Sequence, residues 1–327
     1  MKKTLNKLFE HQTLSEQDAY NVLTRIGTGE FNHSQIAAFL TVYLMRNISV
    51  EELTGFRNAL LDLCLKIDLS EFNTIDVCGT GGDGKDTFNI STLSAFVVAG
   101  AGYKVAKHGN YGVSSSCGSS NVLEFLGYKF TNDEATLKKQ IDQANFCMMH
   151  APLFHPAMAT VGPIRQELGI KTFFNMLGPL VNPSNPQNQL VGVFNLEIAR
   201  IYNYLLQKSG KNYTILHSLD GYDEISLTGK FKAISQHKEQ LLTPEDIGFK
   251  TQLQADIFGG ETIKNSAKIF INVLNNKGTA KQKNVVLANA AFAIQCFEPN
   301  KSLTECIAIA EESIASERAY SSLKKLI

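Results

Sequence analysis

Residues Asp76-Val-Cys-Gly-Thr-Gly-Gly-Asp83 carry an apolar strand pattern into a turn where Gly79, Gly81, Gly82 and Gly84 fall within six residues. Such a turn exposes backbone N–H groups that can close around phosphate oxygens. Asn89-Ile-Ser-Thr92 follows near the predicted start of a helix, where side chains can cap the helix while N–H groups hold an anion. The next strand pattern ends in Lys107-His-Gly-Asn110 and runs on to Ser115, delivering a cation, an imidazole, an amide and hydroxyls to the same edge. These residue types point to a site for a phosphorylated ligand.

Two familiar phosphate motifs overlap the turn, and the surrounding residues argue against both. Gly79, Gly81 and Gly84 satisfy G-x-G-x-x-G, but the helix pattern begins only near Ser91 and the following strand ends in Lys107 rather than in an acidic residue. Gly79 to Lys85 reads G-x-x-x-x-G-K, yet Asp86 stands where a nucleotide-binding loop places Ser or Thr for magnesium. A glycine turn without a ligand is the plainer alternative. Against it, clustered glycines raise the entropy lost on folding with no visible packing benefit.

The carboxylates need partners. Asp83 would repel phosphate unless it faces a hydroxyl or a metal, its structural alternative being an Asx turn. Asp223-Glu224 follows a predicted strand through Leu219-Asp-Gly-Tyr222. Adjacent carboxylates beside a phosphate site suit magnesium, a hard ion that prefers oxygen ligands; in isolation the pair reads as a solvated turn. Arg165 lies on a predicted helix near Glu167 and, by residue type alone, reads as half of a surface ion pair. His155, ahead of Pro156, reads as local structure. No Ser/His/Asp triad or metal-binding histidine pair stands out, which fits a displacement in which the substrate itself attacks while the protein positions it and neutralises charge.

These loops must be positioned by regular elements. Residues 1–68 read as a helical domain, with Ser15/Asp18 and Ser49/Glu52 at capping-box spacing and Ser34 as the cap of a helix over 35–46. From Asn73 short apolar strands alternate with helices: strands over 74–78, 103–107, 146–150, 190–194 and 213–218, helices over 91–101, 118–126, 134–144 and 196–208. The alternation predicts an α/β domain over 73–327, its mostly parallel sheet flanked by helices. Ligands of such sheets bind beyond the carboxyl ends of the strands, where the glycine turn, Lys107-His108 and residues 220–224 all emerge. Residues 157–183 turn helical again and are expected to pack with the N-terminal domain. Amphipathic helices over 262–275, 281–297 and 302–316 close the chain.

Composition narrows the partners. Lys plus Arg equals Asp plus Glu at 31 each, so no global field favours nucleic acid or membrane. The six cysteines show no zinc spacing and read as reduced core thiols. The Met1-Lys-Lys start lacks a signal-peptide stretch, and the longest apolar run, 95–101, is short of a membrane span. A cytoplasmic protein is expected.

Across nearly its whole length the chain resembles the anthranilate phosphoribosyltransferases. The likeness rests on residues 76–83, 89–92 and 107–110, on His155-Pro-Ala-Met158, Arg165-x-Glu-Leu-Gly169, Thr172-Phe-Phe-Asn-Met-Leu-Gly-Pro-Leu180 and Gly221-Tyr-Asp-Glu224. It implies the fold shared with nucleoside phosphorylases and transfer of a 5-phosphoribosyl group from phosphoribosyl pyrophosphate to the anthranilate amine, in tryptophan biosynthesis, with magnesium. By resemblance, Gly79, Gly82, Asp83, Thr87, Asn89, Ile90, Ser91, Thr92, Lys107, Ser115 and Ser119 would hold phosphoribosyl pyrophosphate, Lys107 stabilising charge. Ser91, Asp223 and Glu224 would hold Mg2+, and Gly79, His108, Asn110, Arg165 and Pro179 would meet anthranilate. A homodimer through the helical domain is implied as well. The chain departs from the family pattern at Tyr111, where Arg is usual, and at Cys117 and Asn121, where Ser and Asp are usual; Tyr111 removes a cation near the ligand. The nearest rival is a pyrimidine nucleoside phosphorylase of the same fold, and a silent nucleic-acid-binding relative is the alternative of another class.

Overall fold

The computed structural model describes residues 1–112 and 117–327. They divide into two compact units, Met1–Ile67 with Ala151–Asn185, and Asp68–His150 with Pro186–Ile327. In chain order the elements begin with α1 (Lys2–Phe9), α2 (Glu16–Gly27), α3 (His33–Met45) and α4 (Val50–Leu63). Next come β1 (Thr74–Gly79), α5 (Ile90–Gly100), β2 (Lys104–Gly109), α6 (Ser119–Phe125), α7 (Glu134–Ala144) and β3 (Phe146–His150). Short α8 (Ala151–Phe154), α9 (Ala157–Leu168) and α10 (Phe174–Leu177) precede β4 (Asn188–Gly192), α11 (Leu196–Gln207) and β5 (Asn212–Ser218). The chain ends with β6 (Phe231–Ser235), β7 (Glu239–Leu242), α12 (Ile263–Leu274), α13 (Ala280–Phe297), α14 (Leu303–Ala315) and α15 (Arg318–Lys324).

In the helical unit the expected caps form at Ser15 and Ser49, the latter a full capping box with Glu52. The cap of α3 is not Ser34. Asn32 accepts from the Gln35 N–H and the Gln35 side chain accepts from the Asn32 N–H, so the helix starts two residues earlier than predicted. Both positions hold capping residues, and only the Asn32 frame supplies Gln at the third helical position. Gly55 lets α4 approach α2: a Cβ there would lie 2.8 Å from the Ala19 Cβ. Phe39, Tyr43 and Phe56 pack edge to face and Phe173 stacks on Phe56 at 4.6 Å, which locks the later segment onto the first four helices.

Glu52 is fully buried in this unit. Arg46 donates to its carboxylate through both terminal nitrogens, and the Leu14 and Ser49 N–H groups and the Tyr43 hydroxyl complete its hydrogen bonds. Burial pushes its carboxyl up, but Arg46 and the two N–H groups outweigh that and hold it below the ordinary value.

The sheet unit carries seven strands in the order β3-β2-β1-β4-β5-β6-β7. From β3 to β5 they are parallel, while β6 and β7 add antiparallel at one edge. This is the predicted mostly parallel sheet, extended by a hairpin the apolar pattern did not reveal. The predicted strand 190–194 sits two residues earlier, at Asn188–Gly192. The central strands are buried on both faces, as parallel sheets require. Phe96 of α5 stacks on Phe146 of β3 at 4.1 Å and meets Phe270 edge to face, and truncating it to Ala would cost about 3–5 kcal/mol. The strand order reverses at β1/β4, the position where such sheets open a crevice at their carboxyl ends. All six cysteines are buried and unpaired, as expected.

Candidate active site

β1 ends in Gly79, which lies in register with Gly192 at the end of β4. A Cβ on Gly79 would run into the Asp223 carboxylate, and a Cβ on Gly192 would overlap the Asp223 carbonyl oxygen. Glycine at both strand ends therefore lets the Asp223 segment cross the switch point. Gly81, Gly82 and Gly84 take positive φ (62°, 75° and 72°), the left-handed region open to glycine. The Gly81 N–H donates to Asp223 Oδ2 at 2.7 Å. Asp83 accepts from the Lys85 N–H at 3.0 Å, forming the Asx turn that is its structural alternative. The outer side of the turn is fixed by Phe88 N–H on the Ile257 carbonyl, by Gly259 N–H on the Asp86 carbonyl and by a bridge pairing Thr87 with Phe258.

The start of α5 differs from the expected pattern. Asn89 makes no side-chain cap; its amide donates to the Cys117 carbonyl at 2.9 Å, and its Oδ1 is buried without a hydrogen bond. Glu224 does the capping, accepting from the Ser91 N–H at 3.0 Å. Ile90 and Thr92 are buried at 1% exposure each, so at these two positions the backbone is what a ligand could meet; Ser91 stays half-buried.

At the end of β2, Lys107 is buried and donates from Nζ to the Val77 carbonyl of β1. The His108 N–H donates to the buried Asp76 carboxylate at 3.0 Å. Asn110 is exposed; its carbonyl accepts from Ser119 Oγ and the Ser120 N–H, both at 3.2 Å. Ser119 fills the space a Cβ on Gly109 would need. Tyr111 turns to α6, donating its hydroxyl to Glu124 at 3.1 Å and meeting His150 edge to face at 4.9 Å. Asn121 accepts from the N–H groups of Gly112 and Gly118 at 2.9 and 3.0 Å. Ser115 lies outside the described residues.

Asp223 and Glu224 form the electrostatic centre. Burial pushes both carboxyls well above the ordinary range, and Asp83 adds repulsion to each. The Gly81 N–H and Lys107 oppose the shift at Asp223, and Ser91 opposes it at Glu224. Neither carboxylate forms a salt bridge among the described residues. Two desolvated carboxylates with Asp83 near them and a single lysine carry an excess of negative charge that a divalent cation would offset. The donors are all oxygen, which fits Mg2+. No cluster of three or more His, Cys, Asp or Glu side chains suited to a metal occurs among the described residues, so such an ion would complete its shell with ligand phosphates and water.

Arg165, His155 and Pro179 belong to the helical unit. The expected Arg165–Glu167 ion pair is absent: Arg165 is half-buried, donates to Asn175 Oδ1 at 3.2 Å and lies 5.5 Å from the Phe174 ring centre. Residues two apart on a helix point to different sides, which is why the pair does not form. Burial lowers the Arg165 pKa, and its Nε is buried without a hydrogen bond, as is the hydroxyl of Thr172. A guanidinium with unused donors and no carboxylate partner among the described residues is suited to bind one. Pro179 is buried in a 3-10 turn, and His155 is buried with its N–H on the Ala151 carbonyl. Sequence reasoning passed over Gly192 and the Gly81 N–H, whose roles depend on a turn 31 residues beyond the first of them, from Gly192 to Asp223.

Residues 71–320 match the family model described as glycosyl transferase family, a/b domain, and residues 2–64 match its helical bundle domain. The chain is 62% identical over 326 residues to the anthranilate phosphoribosyltransferase of Flavobacterium psychrophilum and 61% identical over 331 residues to that of Flavobacterium johnsoniae. In both alignments 100% of this chain and 98% of the relative are covered. Among solved structures, the anthranilate phosphoribosyltransferase of Thermus thermophilus superposes with TM-score 0.92 at 31% identity, covering 98% of this chain and 97% of its own. The Saccharomyces cerevisiae enzyme in complex with phosphoribosyl pyrophosphate and magnesium gives TM-score 0.91 at 29% identity, covering 99% and 95%.

Proposed function

The chain belongs to the anthranilate phosphoribosyltransferases of the glycosyl transferase family, and from that membership we propose how its residues divide the work. It transfers the 5-phosphoribosyl group of phosphoribosyl pyrophosphate to the amine of anthranilate, giving N-(5-phosphoribosyl)anthranilate and pyrophosphate, in tryptophan biosynthesis. The phosphorylase and nucleic-acid alternatives have no support, since full-length relatives from 50% to 62% identical carry the transferase name.

The glycine turn with Asp83 and Thr87, residues Asn89, Ile90, Ser91 and Thr92 at the start of α5, and Ser115 and Ser119 hold phosphoribosyl pyrophosphate. Ser91, Asp223 and Glu224 would hold Mg2+, which when bound neutralises charge on the departing pyrophosphate. Lys107, anchored on the Val77 carbonyl and close enough to act on Asp223, adds fixed positive charge. The bond from the anomeric carbon to the pyrophosphate oxygen breaks, a carbon–nitrogen bond forms, and the proton lost from nitrogen passes to solvent. An aromatic amine is neutral at physiological pH and attacks without prior deprotonation, so no strong general base is needed. Arg165 grips the anthranilate carboxylate, with Gly79, His108, Asn110 and Pro179 meeting the rest of the ring.

The observation that carries this division is the Asp223–Glu224 pair, buried at Asp223 and half-buried at Glu224, joined to the glycine turn through Gly81 and to the start of α5 through Ser91. The test is incubation with both substrates and magnesium, following loss of anthranilate fluorescence together with pyrophosphate release. Turnover without magnesium would overturn the metal assignment, and release of pyrophosphate without anthranilate consumption would overturn the acceptor.

We infer a homodimer through the helical unit from the exposed apolar side chains Phe9 (59%) of α1 and Met45 (85%) of α3. Light scattering of a Met45→Glu variant tests it. Among the described residues no helix is long and apolar enough to cross a membrane. The cytoplasmic location we propose rests on the biosynthetic role of the relatives.

A further inference from the structure

We propose that Asn289 of α13 is the positioning residue for the Asp223–Glu224 pair, an inference that rests on the metal-binding role given to that pair above. Asn289 is buried at 2% exposure in an otherwise apolar stretch of α13. Its Oδ1 accepts from the Ile225 N–H at 3.0 Å, and its Nδ2 donates to the Ile225 carbonyl at 2.9 Å. The side-chain amide therefore pairs with both backbone groups of the residue directly after Glu224, as a neighbouring strand would. Its second N–H donates back to the Val285 carbonyl at 2.9 Å, which fixes the rotamer.

The contact closes a circuit. Glu224 caps α5 at the Ser91 N–H, Ile225 is clamped by Asn289 on α13, and α13 is joined to α5 by Ser94 Oγ on the Val286 carbonyl at 3.3 Å. On the other side, Ser218 Oγ donates to the Glu224 carbonyl at 2.7 Å. The pair thus sits in a backbone held from both flanks, which fixes the direction in which the two mutually repelling carboxylates leave the chain. A carboxylate at position 289 would lack the donor, and an aliphatic side chain would leave two buried peptide groups unsatisfied; the primary amide serves both.

Residues that orient ligating groups typically change metal affinity or activity by about 10–100-fold when lost. The test compares wild type with Asn289→Ala, Ser218→Ala and Ile294→Ala, the last deleting a fully buried apolar side chain five residues further along α13. Two readouts are taken: calorimetric titration of magnesium with phosphoribosyl pyrophosphate, and hydrogen exchange of the 219–228 segment without metal. Asn289→Ala should weaken magnesium-dependent binding by about 10–100-fold and speed exchange of the turn, Ser218→Ala should do both to a smaller degree, and Ile294→Ala should do neither. Unchanged exchange, unchanged binding, or equal losses in Ile294→Ala would overturn the proposal. If Asn289→Ala does not fold, Ser218→Ala against Ile294→Ala decides. A wild-type protein that binds no magnesium would remove the metal reading itself, a result seen before any variant is compared.

Discussion

Gly192→Ala tests the geometry of the switch point most directly. The added Cβ would overlap the Asp223 carbonyl oxygen and lie 2.6 Å from its carbonyl carbon, against 3.4–4 Å for ordinary contact. The obstruction is backbone, so the turn must move: the carbon alone would need about 0.8 Å to pass from 2.6 to 3.4 Å, and the overlapping carbonyl oxygen demands more. Misplacement on the order of 1 Å costs about 100-fold in rate, and overpacking adds about 1–3 kcal/mol of destabilisation. We expect kcat/KM to fall by at least about 100-fold, with a drop in melting temperature of roughly 2–4 °C per kcal/mol. Gly162→Ala is the control: its Cβ meets nothing within 4 Å, and Ala in the interior of α9 should hold or gain stability by up to about 1 kcal/mol. Steady-state kinetics and thermal unfolding of both variants suffice. A Gly192→Ala enzyme with wild-type rates would show that the carboxylate turn does not need its observed seat.

Replacing Asp223 by Asn and Glu224 by Gln should abolish most turnover while the metal-free protein, relieved of the repulsion among Asp83, Asp223 and Glu224, unfolds at or above the wild-type temperature; a large stability loss would contradict this. Arg165→Ala should weaken anthranilate use by about 10–150-fold, the equivalent of roughly 1.5–3 kcal/mol, with little change for phosphoribosyl pyrophosphate; varying each substrate in turn checks it. Glu52→Ala leaves Arg46 and two N–H groups without their buried acceptor and should destabilise by about 3–5 kcal/mol in denaturant unfolding. Because folding lowers the Glu52 pKa, its contribution is present above the unfolded value of about 4.3 and is lost as pH falls through the folded value. The stability difference between wild type and Glu52→Gln should shrink on acidification below about pH 4.

Local patterns were enough to find β1 to β5, because each is a short buried run bounded by glycine or polar residues. β6 and β7 escaped because Lys232 and Ser235, then Glu239 and Gln240, interrupt the apolar pattern of an edge hairpin. At the site, the glycine turn and the carboxylate pair were readable by type. The capping of α5 was not: Asn89 has the right chemistry in the right place, yet the acceptor for the Ser91 N–H comes from Glu224, 133 residues beyond Ser91. Asn289 looks in sequence like a polar flaw in an apolar helix, and only its partner 64 residues earlier gives it meaning. Only the resemblance made Tyr111 read as a lost cation; the structure adds that its ring and hydroxyl engage His150 and Glu124.

The helical unit is assembled from two stretches separated by Asp68–His150, and this shapes its birth on the ribosome. Phe39, Tyr43 and Phe56 emerge long before Phe173, and Leu65 and Ile67 wait for the carbonyls of Phe154 and Pro183. At roughly 5–20 residues per second, synthesis of the intervening segment takes on the order of ten seconds. Until Phe173 is made, Phe39, Tyr43 and Phe56 lack the ring that packs on all three, so the first four helices cannot complete their core before the later stretch has left the ribosome.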